Sequence, residues 1–198
     1  SLLKEGGKLL IILPDSVISS SGINKTFRYR ASQGNLKIEA LIALPNVTFA
    51  QAGTRTKTHI LYLTKTESDK NQKIFVGIAN KIGFEVSSKK GIKVKSQKGE
   101  NDLLTIENTY KLKANSKEKM VLLDKPSITN IPLKDISKNG KWTPNHYSSD
   151  RFLAIEKLKT RHKANSKIVK LSDLVDFVTP LRKLEPLDDD SKCISVLH

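Results

Sequence analysis

The chain is short of several things, and each shortage excludes something. It has one cysteine, Cys193, so no disulfide can form within it, which fits a reducing cytoplasm. That cysteine sits in Lys192-Cys193-Ile194-Ser195-Val196, an apolar, strand-like stretch, and reads as core filling rather than as a nucleophile. The four histidines, His59, His146, His162 and His198, are scattered, with no thiol or carboxylate at metal spacing, so no metal site is expected. Long hydrophobic runs are missing too. The longest, Leu9 to Leu13, is the length of a strand, so no membrane span and no membrane partner are expected. No signal-peptide pattern precedes it, because Gly6-Gly7-Lys8 stands directly before the run.

Acidic residues are also few. There are 35 Lys+Arg against 20 Asp+Glu in 198 residues, a net charge of +15. Such a field attracts polyanions, nucleic acid first among them. Most of the excess is lysine, which would equally serve solubility. A membrane surface fits less well, because no segment pairs a lysine face with an apolar one.

Three parts follow one another along the chain. In the first, residues 1–66, Lys8 to Pro14 is apolar on both faces and reads as an inner strand of an α/β sheet. Gly6-Gly7 is a turn before it, and Pro14-Asp15 ends it. A weak helix is expected over Asn24 to Ser32, a strand from Leu36 to Leu44, and another from Thr58 to Thr64. In the second part, residues 67–131, the spacing of Ile74, Phe75, Ile78, Ala79 and Ile82 predicts a helix over Lys73 to Ile82. The lysine-rich stretch after it (Lys89, Lys90, Lys93, Lys95, Lys98) reads as a solvated hairpin or loop, either inert or in contact with phosphates. A helix should start near Asn101 or Asp102.

The third part, residues 132–198, opens with Leu133-Lys134-Asp135-Ile136, echoed by Leu171-Ser172-Asp173-Leu174. Between the two lie Trp142-Thr143-Pro144-Asn145-His146-Tyr147 and a basic helix from about Asp150 to His162. Arg151, Lys157, Lys159, Arg161 and Lys163 crowd that helix and its exit, and either track a DNA backbone or dress a solvated face. A last strand, Cys193 to Leu197, runs to the end, as if the chain were cut from a longer protein.

Four phrases in order carry a family likeness. Leu3 to Asp15, the Arg28 and Arg30 helix, Ile42-Ala43-Leu44-Pro45-Asn46-Val47-Thr48-Phe49, and Gly53 to Lys65 together resemble the late sheet region of the modification subunits of type I restriction enzymes. Those are N-6 adenine DNA methyltransferases that use S-adenosylmethionine. The resemblance implies an α/β fold: the distal part of a Rossmann-like methyltransferase sheet, 1–66, then a mixed α/β extension, 67–131. The third part resembles, more loosely, the start of a DNA target-recognition domain of specificity subunits, 132–198.

The resemblance also implies site residues. Phe49 stands where the family stacks a phenylalanine on the flipped base, although it could also plug its loop onto the core. Pro14 and Asp15 follow the first strand at the edge where α/β sheets place ligands, and could shape the base pocket; Asp15 could equally cap a turn. By their own chemistry, Thr54, Arg55, Thr56 and Lys57 around the same loop read either as contacts to phosphates flanking the target or as a solvated strand entry. Arg151, Lys157 and Arg161 read as the DNA contacts of the basic helix or as its solvated face. Double-stranded DNA is the implied partner, with specificity and restriction subunits, in a prokaryotic cytoplasm.

The family's catalytic Asn-Pro-Pro-aromatic phrase is missing, since no two of the seven prolines are adjacent. Gly6-Gly7 precedes its strand, whereas a cofactor loop must follow one. No catalytic residue is therefore assigned in this chain. The cofactor loop and catalytic residue are expected upstream of Ser1, and the isolated chain is expected to be inactive. A reading of a different class stays open: a non-catalytic, basic module for nucleic-acid binding or subunit assembly.

Overall fold

The computed structural model describes residues 3–33, 35–67, 69, 71–89, 92–115, 123, 125–140, 142–161 and 169–176. The chain divides into two compact units, Ser1–Lys157 and Leu158–His198.

The first unit is a mixed α/β structure built on an open sheet of five strands in the order β1-β3-β2-β4-β7. These strands are β1 (Lys8–Pro14), β2 (Lys37–Leu44), β3 (Thr58–Thr64), β4 (Lys73–Ile78) and β7 (Ser127–Pro132). β3 runs antiparallel to both β1 and β2, and β2 runs parallel to β4. β1, β2 and β4 therefore all point their carboxyl ends to one edge, which β3 and β7 leave with their amino ends. The remaining strands, β5 (Ile82–Lys89) and β6 (Ile92–Asn101), form a separate two-stranded hairpin.

Alternation along the strands sorts side chains to two cores. One face carries Leu41, Leu61, Leu63, Ile74, Val76 and Ile131. Onto it pack α1 (Asp15–Ser19), α2 (Ile23–Gln33), α4 (Leu133–Asn139) and the 3₁₀ turn Pro144–Tyr147, contributing among others Ile18, Ala31, Ile136 and Tyr147. The other face carries Ala40, Phe75 and Ile128, covered by Ile106 of α3 (Asp102–Asn115) and Ile82 of β5. Trp142 and Tyr147, from the aromatic phrase of the third part, are both buried in the first core.

Two expectations change. Lys73 to Ile82 is not a helix: Lys73–Ile78 is strand β4, hydrogen-bonded to β2 on one side and β7 on the other. Its Ile-Phe-Val-Gly-Ile run is buried on both faces, a pattern that periodicity cannot separate from a buried helix. The strand expected inside the sheet, β1, stands at its edge among the described residues, paired with β3 alone. Leu9 and Leu13 pack on the core, while Leu10 is 65% and Ile12 45% exposed. Of the hairpin and the loop expected for the lysine-rich stretch after β4, the hairpin forms, as the β5–β6 ladder.

The second unit is described at the end of α5 (Ser149–Arg161), which starts in the first unit, and at 169–176. Leu171–Asp173 there is a single 3₁₀ turn, whereas its echo at Leu133 opens helix α4. Cys193 and the strand expected from Cys193 to Leu197 lie outside the described residues. No helix among the described residues is long and apolar enough to cross a membrane.

Candidate functional site at the carboxyl edge of the sheet

Open α/β sheets place ligands outside the carboxyl ends of their parallel strands. That edge of the first unit gathers the residue after β1, the loop between β2 and β3, and the turn after β4. Asp15 follows β1 directly and opens α1. Its backbone N–H donates to the Lys57 carbonyl at 2.9 Å, which stitches the end of β1 to the loop before β3.

The Asp15 carboxylate is engaged on both oxygens. His59 Nε2 lies 2.7 Å from Oδ1, and Ser19 Oγ donates to Oδ2 at 2.8 Å. His59 is fully buried, and its Nδ1 has no partner among the described residues. Burial pushes the imidazole below its ordinary value and outweighs the pull of the Asp15 carboxylate. His59 is thus neutral near pH 7, with the proton on Nε2 donated to Asp15. For Asp15, burial works to raise the carboxyl, but the bonds from His59 and Ser19 prevail and hold it below its usual range.

The loop from Pro45 to Lys57 is a chain of tight turns. Thr48 donates to the Pro45 carbonyl through both its N–H, at 3.0 Å, and its hydroxyl, at 2.6 Å. The Phe49 carbonyl accepts from Ala52 at 3.0 Å and Thr54 at 3.3 Å, and Gly53 turns the backbone at φ +99°. This wrapping holds the backbone of Phe49 while its ring stays part-exposed. Thr54 and Thr56 pair through their hydroxyls at 2.6 Å. Arg55 reaches away from them, and its Nη2 donates to the Val86 carbonyl of the hairpin at 3.0 Å. Val47 of the same loop and the hairpin root, with Asn80, Phe84 and Glu100, line a cavity of about 280 Å³.

The remaining expected contacts belong to other elements. Arg151 donates to the His146 carbonyl at 2.9 Å on the 3₁₀ turn. Lys157 is exposed on α5, and Arg161, also exposed, belongs to the second unit. Arg28, which the family likeness placed on α2, is buried and bonded to the carbonyls of Val17, Ser20 and Gly140, so it braces helices rather than facing solvent.

The residue that sequence reasoning passed over is His59. A signal was present, because alternation back from Leu63 and Leu61 puts His59 on the core face.

A methyl-donor site of the nucleotide-binding kind needs a glycine loop between a strand and a helix. The described strand-to-helix junctions are Pro14-Asp15, Asn101-Asp102 and Pro132-Leu133, and none carries a glycine. The residues described here do not fit that cofactor. Among them, no three His, Cys, Asp or Glu side chains gather as a metal would require.

Comparison with known proteins places the chain in a class. Residues 1–148 match the model of the N-6 DNA methylase family, and the chain belongs to that family. Among solved structures, it is similar to the type I restriction-modification methyltransferase subunit of Streptococcus thermophilus, at 21% identity over 72% of this chain and 26% of that one, TM-score 0.49. It is also similar to the type IIG restriction endonuclease BpuSI, at 15% identity over 79% and 16% of the two chains, TM-score 0.48. A chain from a study of complex assembly in a type I restriction-modification system aligns at 13% identity over 79% and 34%, TM-score 0.47. The chain thus spans between about a sixth and a third of the length of these structures. No curated protein matches it.

Proposed function

We propose that this chain is the distal sheet portion of a restriction-modification DNA methyltransferase, one that transfers a methyl group from S-adenosylmethionine to the N-6 amino group of adenine. Membership in the N-6 DNA methylase family over residues 1–148 carries this reading. The chemistry requires the adenine to leave the duplex stack, and an extruded base needs an aromatic face. Phe49 supplies that face: it sits on a tightly wrapped loop at the ligand edge of the sheet, with its ring part-exposed. Thr54, Arg55, Thr56 and Lys57 flank it as phosphate contacts, and Arg151, Lys157 and Arg161 add to the basic surface. Pro14 and Asp15 frame the edge, and His59 and Ser19 hold the Asp15 carboxylate in one orientation.

In this reading the methyl donor and the catalytic polar residue belong to parts of a longer protein, and the chain alone does not turn over. Residues 1–66 form the catalytic domain's end, 67–131 an extension, and 132–198 the start of a target-recognition segment. Double-stranded DNA is the substrate, with specificity and restriction subunits as partners, in a prokaryotic cytoplasm.

The test begins with the coding sequence before Ser1, where a glycine loop followed by Asn-Pro-Pro-aromatic is expected. Methyl transfer from labelled S-adenosylmethionine to adenine in DNA is then measured for the longer product. Phe49→Ala should lower kcat/KM roughly 5- to 150-fold, the equivalent of 1–3 kcal/mol of lost stacking, and Phe49→Trp should retain most of it. A longer product without adenine methylation, or turnover by this chain alone, defeats the reading.

A further inference from the structure

We propose that the β5–β6 hairpin is an arm that lies along the DNA backbone beside the Phe49 loop. The proposal rests on the reading of the chain as part of a DNA methyltransferase, and it adds a contact surface outside the candidate site.

The hairpin is anchored at its root and bare beyond it. Ile82 and Val86 are buried, and Ile82 and Phe84 join the core beneath Ile106. Further out, Ser87, Ser88 and the run from Val94 to Gln97 are exposed. Among the described residues the two strands pair only with each other, so packing in the main sheet does not explain their length. A lone two-stranded ribbon is marginal in water, and one kept at eight and ten residues needs another use.

Its charges are sorted along its length. Both carboxylates lie near the root and both are taken by lysines: Glu100 by Lys81, and Glu85 by Lys98 at 3.7 Å. Beyond them the described residues of the two strands include Lys89, Lys93 and Lys95 and no acid. Lys95 Nζ lies 4.1 Å over the Phe84 ring, which seats that cation on the ribbon. Lys93 and Lys95 are two residues apart on β6, about 6.8 Å along an extended strand, which matches two phosphate steps of roughly 3.4 Å each on one DNA strand. Apart from lysine, the described exposed stretch holds serine, glutamine and a single apolar residue, Val94, which is too little for the apolar face that insertion into a lipid surface requires.

Position completes the case. The Arg55 bond to the Val86 carbonyl joins the arm to the loop that carries Phe49, and the cavity beside Val47 lies at that junction. A duplex whose target base reaches Phe49 would run its flanking phosphates onto the arm.

The experiment titrates the full chain onto a labelled DNA duplex by fluorescence anisotropy across a salt series. The triple variant Lys89→Gln, Lys93→Gln, Lys95→Gln should flatten the slope of log affinity against log salt by about two to three, since each lost phosphate contact removes roughly 0.9. The matching triple Lys-to-Arg variant should keep the wild-type slope. A wild-type slope in the triple Gln variant overturns the proposal, and so does a chain that does not bind duplex at low salt. Lower solubility with unchanged DNA affinity overturns it too, as would a loss confined to single-stranded RNA or to anionic vesicles. The two readings separate cleanly. Adenine methylation by the longer protein together with an unchanged slope removes the arm alone, whereas a flattened slope without methylation removes the methyltransferase and leaves a DNA-binding arm.

Discussion

His59 Nε2 donates to Asp15 Oδ1 at 2.7 Å, tying the start of α1 to the first turn of β3 across 44 residues of sequence. The bond sets a pH dependence whose sign can be worked out. His59 is held below the ordinary imidazole value of 6.5 by burial, so between 6.5 and the folded value the unfolded chain binds more protons than the native one. Stability is therefore full above about pH 6.5 and falls as the pH drops through that window. Asp15, for which burial is outweighed by its bonds from His59 and Ser19, lies below 3.8, and its contribution is lost at still lower pH. Both groups make acid destabilising. Thermal unfolding midpoints should be flat above pH 7 and decline below pH 6.5, and His59→Leu should lose the upper decline. A wild-type midpoint that does not move between pH 7.5 and 5 contradicts this assignment.

Arg28 offers a second test. Its guanidinium donates to Val17 O and Ser20 O, each at 2.7 Å, and to Gly140 O at 3.3 Å, joining α1, α2 and the end of α4. Charged donors contribute roughly 1.5–3 kcal/mol per bond, and the orphaned carbonyls add a penalty. Arg28→Met should cost about 2–4 kcal/mol in urea unfolding. Arg28→Lys should fall between, because an ammonium cannot fork to three separated carbonyls. A Lys variant as stable as wild type would show that the fork geometry is irrelevant.

How far these features were legible follows from their range in sequence. β1 and β3 were legible to the residue, because their apolar runs are bounded by Gly, Pro and polar stretches. β4 was misread because Ile74, Phe75 and Ile78 satisfy a helical spacing as well as a strand buried on both faces, and only its pairing with β2 and β7 decides. α1 was hidden in five residues, too few to show a period. In the candidate site, Phe49 and its loop were visible through the family likeness alone. The Asp15–His59 bond was not, since nothing local links residue 15 to residue 59. The bracing role of Arg28 depends on Gly140, which is 112 residues away.

Gly77 is required by Ile106. A Cβ built at Gly77 would stand 3.3 Å from Ile106 Cγ2, tighter than ordinary contact. The glycine sits in mid-strand, where it weakens β4, so close approach by α3 is the reason for it. Gly77→Ala should cost on the order of 1 kcal/mol and Gly77→Val about 1–3 kcal/mol, as overpacking does. Ile106→Ala, which removes Cγ2, should cost less in the Gly77→Ala background than in wild type, a coupling read from a double-mutant cycle. Simple additivity of the two changes would mean that the contact does not set the residue.

The outer edge of β1 yields the last prediction. Among the described residues β1 pairs with β3 alone, so one row of its backbone donors and acceptors is left without a strand. Beside that row, Leu10 and Ile12 are exposed on the face opposite Leu9 and Leu13. An edge that is apolar and unpaired is a template for a second chain. The isolated protein should self-associate as its concentration rises, followed by size-exclusion chromatography. Ile12→Lys places a charge at that edge and should suppress the association, with stability within about 0.5 kcal/mol of wild type. Leu9→Lys, three residues away on the face that packs against the core, should instead destabilise by about 2 kcal/mol or more, because it buries an unpaired charge. If the two lysines act alike, the edge is not the surface through which copies meet.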